Sequence, residues 1–143
     1  LMYQLDTERF YELSPSEHAE LKAIFAADHC DDEETVAYVK RCFEEGYLMD
    51  PHTATCLKAY DNCRDKPLKT IVTSTAEWTK FSMTIAEAIG TESGSGDLDA
   101  LKNIAAKANI KIPAQIEALF DKPIAQKTLI DKDDIEKTIL SFL

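Results

Sequence analysis

Three hydroxyl side chains in succession, Thr73, Ser74 and Thr75, are the first candidates for chemistry in this sequence. They follow Leu68, Ile71 and Val72, a run rich in β-branched residues that predicts a short buried strand over Leu68–Thr73. A polar turn beyond the carboxyl end of a strand is where α/β proteins hold ligands. The same hydroxyls also suit a plainer role, satisfying loop backbone groups. Lys80 follows in the next turn, with Trp78 and Phe81 beside it. Its ammonium either attracts an anionic ligand or sits solvated beside a helix start. Upstream, Asp50-Pro51-His52-Thr53 reads as a helix start, with Asp50 as cap and Pro51 in the first turn. His52 and Thr53 then lie where backbone N–H groups favour anions. A well-capped helix with His52 packed or solvated accounts for the same residues.

Two other stretches invite a site reading, and the plainer reading is preferred for both. Asp28-His29-Cys30-Asp31-Asp32-Glu33-Glu34 is full of metal-ligand types. Adjacent residues cannot all converge on one ion, and ligand spacing is missing. The acids suit the positive first turn of a helix capped by Asp31 or Asp32. Gly90 to Gly96 resembles a phosphate cradle, but Glu92, Asp97 and Asp99 would repel an anion. It reads as a flexible linker over 91–96. No metal site is expected.

The elements that position these residues are mostly helical. Residues 1–13 suggest the end of a helix. Ser14-Pro15-Ser16-Glu17 is a capping box opening a helix with Leu21, Ile24 and Phe25 on one face, expected to end near Asp28. The next helix carries Val36, Val39 and Phe43 and stops at Gly46. After Asp50, Ala54, Leu57 and Tyr60 supply the buried face, with Cys56 and Cys63 packed on one side. Ser82 is the expected cap of a helix holding Ile85, Ala86 and Ile89 and ended by Gly90. A helix from Asp97 carries Leu98, Leu101, Ile104 and Ala105 to near Asn109. Pro113 opens a short helix, Lys127–Ile130 suits a second short strand, and Asp131 caps a last helix.

The chain has 143 residues, enough for one modest core, and a formal net charge of −10. That charge argues against nucleic acid, whose phosphates need clustered Lys and Arg. No apolar run approaches the about 18 residues of a membrane span, and no signal-peptide pattern is present. Four irregularly spaced cysteines without a secretory signal read as reduced thiols in a cytoplasmic protein. The first residue is Leu1 rather than Met, which suggests a longer protein that has been cut, while Leu143 suits a natural C-terminus.

Ser74-Thr75-Ala76, three variable residues and Lys80-Phe81 resemble the strand-end motif of the threonine synthase family, and Asp50-Pro51-His52-Thr53 resembles a second family motif in the right order. The resemblance covers nearly the whole chain. Met83 stands where the family usually has Pro in the first turn of a helix. The resemblance implies an α/β fragment, mostly helical with one or two short strands, from the three-layer architecture of fold-type II enzymes that use pyridoxal 5'-phosphate (PLP). It implies a single C-terminal fragment over 1–143: helices and the motif-bearing strand over 1–90, the linker, and a helical tail over 97–143. It implies a parent that converts O-phospho-L-homoserine and water to L-threonine and phosphate. In that family a Ser or Thr at this strand end faces the cofactor ring nitrogen, which makes Thr75 the candidate and Ser74 the runner-up. His52, Thr53 and Lys80 are substrate-proximal candidates.

The Schiff-base lysine of the family follows a Ser-Phe-Lys-Asp type motif, and neither that motif nor the family's phosphate cradle occurs here. The fragment alone is therefore expected to be inactive, to bind no PLP, and to expose strand edges that favour non-native self-association. The alternatives are another PLP lyase such as threonine dehydratase, or a non-enzymatic helical interaction module.

Overall fold

The computed structural model describes residues 2–125 and 127–142. Among the described residues eight α-helices run in chain order: α1 Met2–Glu8, α2 Pro15–Ile24, α3 Asp32–Glu44, α4 Pro51–Cys63, α5 Ser82–Ile89, α6 Asp97–Ala108, α7 Ala114–Glu117 and α8 Ile135–Leu140. Short 3-10 turns, Trp78–Phe81 and Lys132–Asp134, precede α5 and α8. The chain divides into two units, Leu1–Lys111 and Ile112–Leu143. The division falls after α6, so residues 91–96 lie inside the first unit as the turn between α5 and α6.

The helix starts follow from local chemistry. Ser14 Oγ accepts from the Glu17 N–H at 3.3 Å while Glu17 Oε2 accepts from the Ser14 N–H at 2.8 Å, a complete capping box. Asp31 and Glu34 form a second one at the start of α3, at 2.8 and 3.1 Å. Gly90 ends α5 with φ +67°, a conformation suited to glycine. α2 ends at Ile24 rather than near Asp28, with Phe25 extended and exposed. No residue of α2 is buried, so nothing holds a further turn in place.

The core of the first unit lies among α3, α4, α5 and α6. α3 packs on both α4 and α5, and α5 packs on α6. Val39, Ala54, Ile85, Ala86, Ala100, Leu101 and Ile104 are fully or almost fully buried there. Polar ties flank this core: Lys58 Nζ donates to Glu34 Oε2 at 2.5 Å, and Arg41 Nη1 to Asp61 Oδ2 at 2.5 Å. The second unit holds α7 and α8 and has no buried residue among those described.

The two expected strands are absent among the described residues. Leu68–Thr73 is irregular and lies at the surface, with Ile71 93 % exposed. Lys127–Ile130 is also irregular, with Leu129 97 % exposed. A strand exists only by pairing, and no described segment pairs with either run. Among the described residues the fold is mostly helical, as expected, and lacks the one or two short strands of the α/β expectation. The expected strand edges go with it; what is exposed is an unpaired apolar segment. Ser82 is not a cap either. The 3-10 turn Trp78–Phe81 runs straight into α5, so Ser82 is already helical and its hydroxyl donates to Asp97 Oδ1 at 2.5 Å. Asp131 introduces the Lys132–Asp134 turn rather than α8 itself, and its side chain makes no capping bond. Cys56 is exposed rather than packed; Cys42 is the buried cysteine, and burial pushes its thiol pKa up.

Candidate functional site

The first turn of α4 is built around Asp50, which is 2 % exposed. Its Oδ1 accepts from the backbone N–H groups of His52 at 3.0 Å and Thr53 at 3.1 Å. Its Oδ2 accepts from the Thr53 hydroxyl. Pro51 fits the first helical position because it has no N–H to satisfy there. The cap the sequence announces is thus a buried carboxylate with three donors.

From this turn two contacts reach the second motif. The Thr53 hydroxyl, 2 % exposed with its residue, accepts from the Thr75 backbone N–H at 3.2 Å. The exposed His52 ring lies against Phe81, with centroids 4.7 Å apart and planes tilted by 42°. His52 Nδ1 is 4.0 Å from Asp50 Oδ1. Downstream of Thr75, buried Trp78 anchors the loop as it enters α5. The two motifs, more than twenty residues apart in sequence, therefore meet at two places.

The other candidates fall as follows. Ser74 and Thr75 are exposed. The Ser74 hydroxyl donates to the Ala76 carbonyl at 3.2 Å. Thr75 uses its N–H, and its hydroxyl takes no partner among the described residues. Lys80 lies exposed in the 3-10 turn, in no ion pair among the described residues. No site among the described residues groups three or more His, Cys, Asp or Glu side chains for a metal. The acids of Asp28–Glu34 serve the fold: Asp28 accepts from the Asn62 amide at 2.7 Å, Asp31 caps α3, and Glu34 meets Lys58. The 93–96 turn is no phosphate cradle, because Ser95 donates both its N–H and its hydroxyl to Asp99.

Beside His52 and Phe81 opens a cleft of about 580 Å³. Asp32, Glu33 and Glu87 also line it. Three carboxylates in the lining, from α3 and α5, oppose a phosphate, so the cleft by itself does not suit a phosphorylated ligand. The cap network of Asp50 and Thr53 is what sequence reading missed. The capping residues were readable, but their reach to Thr75 depends on how the chain between α4 and α5 returns.

The first unit is thus a helical domain whose capped α4 turn holds a hydroxyl-rich loop. Residues 53–139 match the family described as threonine synthase, C-terminal, and the chain belongs to it. Threonine synthase-like 1 of Macaca fascicularis is 34 % identical over 95 residues, covering 60 % of this chain and 13 % of that protein. Threonine synthase-like 1 of Mus musculus is 31 % identical over 116 residues, covering 78 % of this chain and 15 % of that protein. The human protein of that name is 30 % identical over 90 residues, covering 62 % and 12 %. The chain thus spans only 12–15 % of the length of these relatives. No helix among the described residues is long and apolar enough to cross a membrane.

Proposed function

We propose that this chain is the C-terminal portion of a cytoplasmic, PLP-dependent threonine synthase, a lyase that converts O-phospho-L-homoserine and water to L-threonine and phosphate. The observation that carries the reading is the junction of the two motifs, through Thr53 to Thr75 and through His52 to Phe81. A plain helical adaptor has no need to hold an exposed hydroxyl loop in place from a buried cap. Membership of the threonine synthase family favours this reaction over that of a dehydratase.

The residues present fit one part of the cofactor. PLP supplies an electron sink for the substrate carbon chain. A neutral hydroxyl facing its ring nitrogen must donate a hydrogen bond. The Ser74 hydroxyl already donates to Ala76, whereas the Thr75 hydroxyl is exposed and unengaged among the described residues. That favours Thr75 as the donor and leaves Ser74 shaping the turn. The remaining parts do not fit this chain. Lys58 is engaged by Glu34 rather than free for a cofactor. The glycine-rich turn has Ser95 committed to Asp99. With no Ser-Phe-Lys-Asp type motif and no family phosphate cradle in this sequence, the Schiff-base lysine and the phosphate donors are assigned to the rest of the longer protein, and the chain alone is proposed to be inactive and to bind no PLP. The surface segment Leu68–Thr73 is assigned as a strand of the sheet that the rest of that protein completes. Lys80 and His52 face the substrate side in this reading.

The test uses the full-length protein that carries this chain. Phosphate release from O-phospho-L-homoserine and the cofactor absorbance are measured for the unmutated protein, Thr75→Ala and Ser74→Ala. Thr75→Ala should lose about tenfold to a hundredfold in turnover, matching one hydrogen bond of about 1.5–3 kcal/mol, with an altered spectrum. Ser74→Ala should change little. Absence of phosphate release by the unmutated protein would sink the reading.

A further inference from the structure

We infer that Thr53 is the positioning residue for Thr75: a buried hydroxyl that Asp50 orients, and that in turn fixes the loop presenting the Thr75 side chain. The inference rests on the reading of Thr75 as the group facing the cofactor. It departs from the view of Thr53 as a residue near substrate, because Thr53 is buried and both functions of its hydroxyl are taken.

The direction of each bond gives the argument. Asp50 Oδ1 is held by two backbone N–H groups, which fixes the carboxylate in the first turn of α4. Its Oδ2 takes the Thr53 hydroxyl hydrogen. With its only hydrogen committed, the Thr53 oxygen faces the loop solely as an acceptor, and the Thr75 N–H meets it at 3.2 Å. A helical Thr has two accessible χ1 rotamers, and the bond from the Thr53 hydroxyl to Asp50 selects one of them, so the acceptor stays where α4 puts it. Trp78 then anchors the loop on its other side. Thr73 and Ser74 have no comparable tie: both are exposed, and no bond from α4 reaches them among the described residues. The loop is thus pinned at the residue whose side chain is proposed to act. The nearby serine is held only by its own local turn.

Amide hydrogen exchange of the 143-residue chain, read by NMR, tests the link without any cofactor. The Thr75 amide should exchange at least tenfold more slowly than those of Thr73 and Ser74 after correction for intrinsic rates. Thr53→Val keeps the shape and removes the oxygen; it should erase that protection while the Leu57 amide inside α4 is unaffected. Thr53→Ser should restore most of it. An unprotected Thr75 amide in the unmutated chain overturns the inference, whatever the variants do. So does Thr53→Ser behaving like Thr53→Val.

The cofactor spectrum of the full-length protein supplies the second arm. Thr53→Val should shift it in the same sense as Thr75→Ala and to a smaller extent, with Thr53→Ser near the unmutated protein. A shift with Thr75→Ala but none with Thr53→Val overturns the positioning role and leaves the proposed function standing. No shift with either variant overturns the proposed role of Thr75, and the inference with it.

Discussion

At Glu34 one carboxylate serves two elements. It closes the capping box of α3 by accepting from the Asp31 N–H, and it takes the Lys58 ammonium of α4 at 2.5 Å. The Lys58 bond, followed by the Asp31 N–H, holds the Glu34 carboxyl below its ordinary value. Arg41 does the same for Asp61, and the Asn62 amide for Asp28. Each depressed group binds fewer protons folded than unfolded, so its stabilisation is present above the ordinary carboxylate value and lost as pH falls through the folded one. Urea midpoints of this chain should therefore be nearly level from about pH 7 to pH 5 and fall below about pH 4.5. Lys58→Met should flatten that fall, since Glu34 keeps only the Asp31 N–H. An unchanged slope would mean that solvent screens the pair and that it contributes nothing.

At the scale of elements, the α5–α6 pair depends on a turn that only glycine fits. Gly94 has φ +67°, and a Cβ there would lie 2.5 Å from the Cβ of Asp99, on the first turn of α6. Asp99 cannot retreat without releasing the Ser95 N–H and hydroxyl. Gly90 has the same φ, but the nearest atom to an added Cβ is the end of Lys107, 3.8 Å away. Gly90→Ala should cost about 1 kcal/mol for the left-handed backbone. Gly94→Ala should cost at least about 2 kcal/mol, because strain and collision combine. Equal costs in thermal or chemical unfolding would show that the turn rearranges freely. The same scale explains Ser82. Seen alone it has the chemistry of a cap, yet the 3-10 turn before it leaves no break to cap, and its hydroxyl instead ties α5 to the start of α6.

For the whole molecule, the balance of covered and uncovered apolar surface is the main feature. The first unit has a core of Val39, Ile85, Leu101 and Ile104, while Leu68 and Ile71 stand in solvent, as do Leu119, Ile124 and Leu129 of the second unit. An extended apolar segment without a partner invites pairing with another chain. Sedimentation of the isolated chain should show association that grows with concentration despite the net charge of −10. Replacing Leu68 and Ile71 with Lys should weaken it at least severalfold. A chain that stays monomeric at high concentration would remove this segment from the account of the parent sheet.

Short-range chemistry makes the helix boundaries legible in the sequence. Ser14 with Glu17, Asp31 with Glu34, and Asp50 with Pro51 announce helix starts, because a cap needs only its own side chain and the next three N–H groups. Gly90 and Asn109 announce helix ends for a similar local reason. The spacing of Leu101, Ile104 and Ala105 marks the face of α6 that is buried. Motif order also marked the threonine synthase family, which the match over residues 53–139 bears out. Whether the β-branched run before Thr73 becomes a strand was settled by the folded chain, since pairing depends on a neighbour that local sequence does not name. It alone brought Thr53 to Thr75 and His52 to Phe81, because α4 and the loop before α5 meet only when the chain between them turns back.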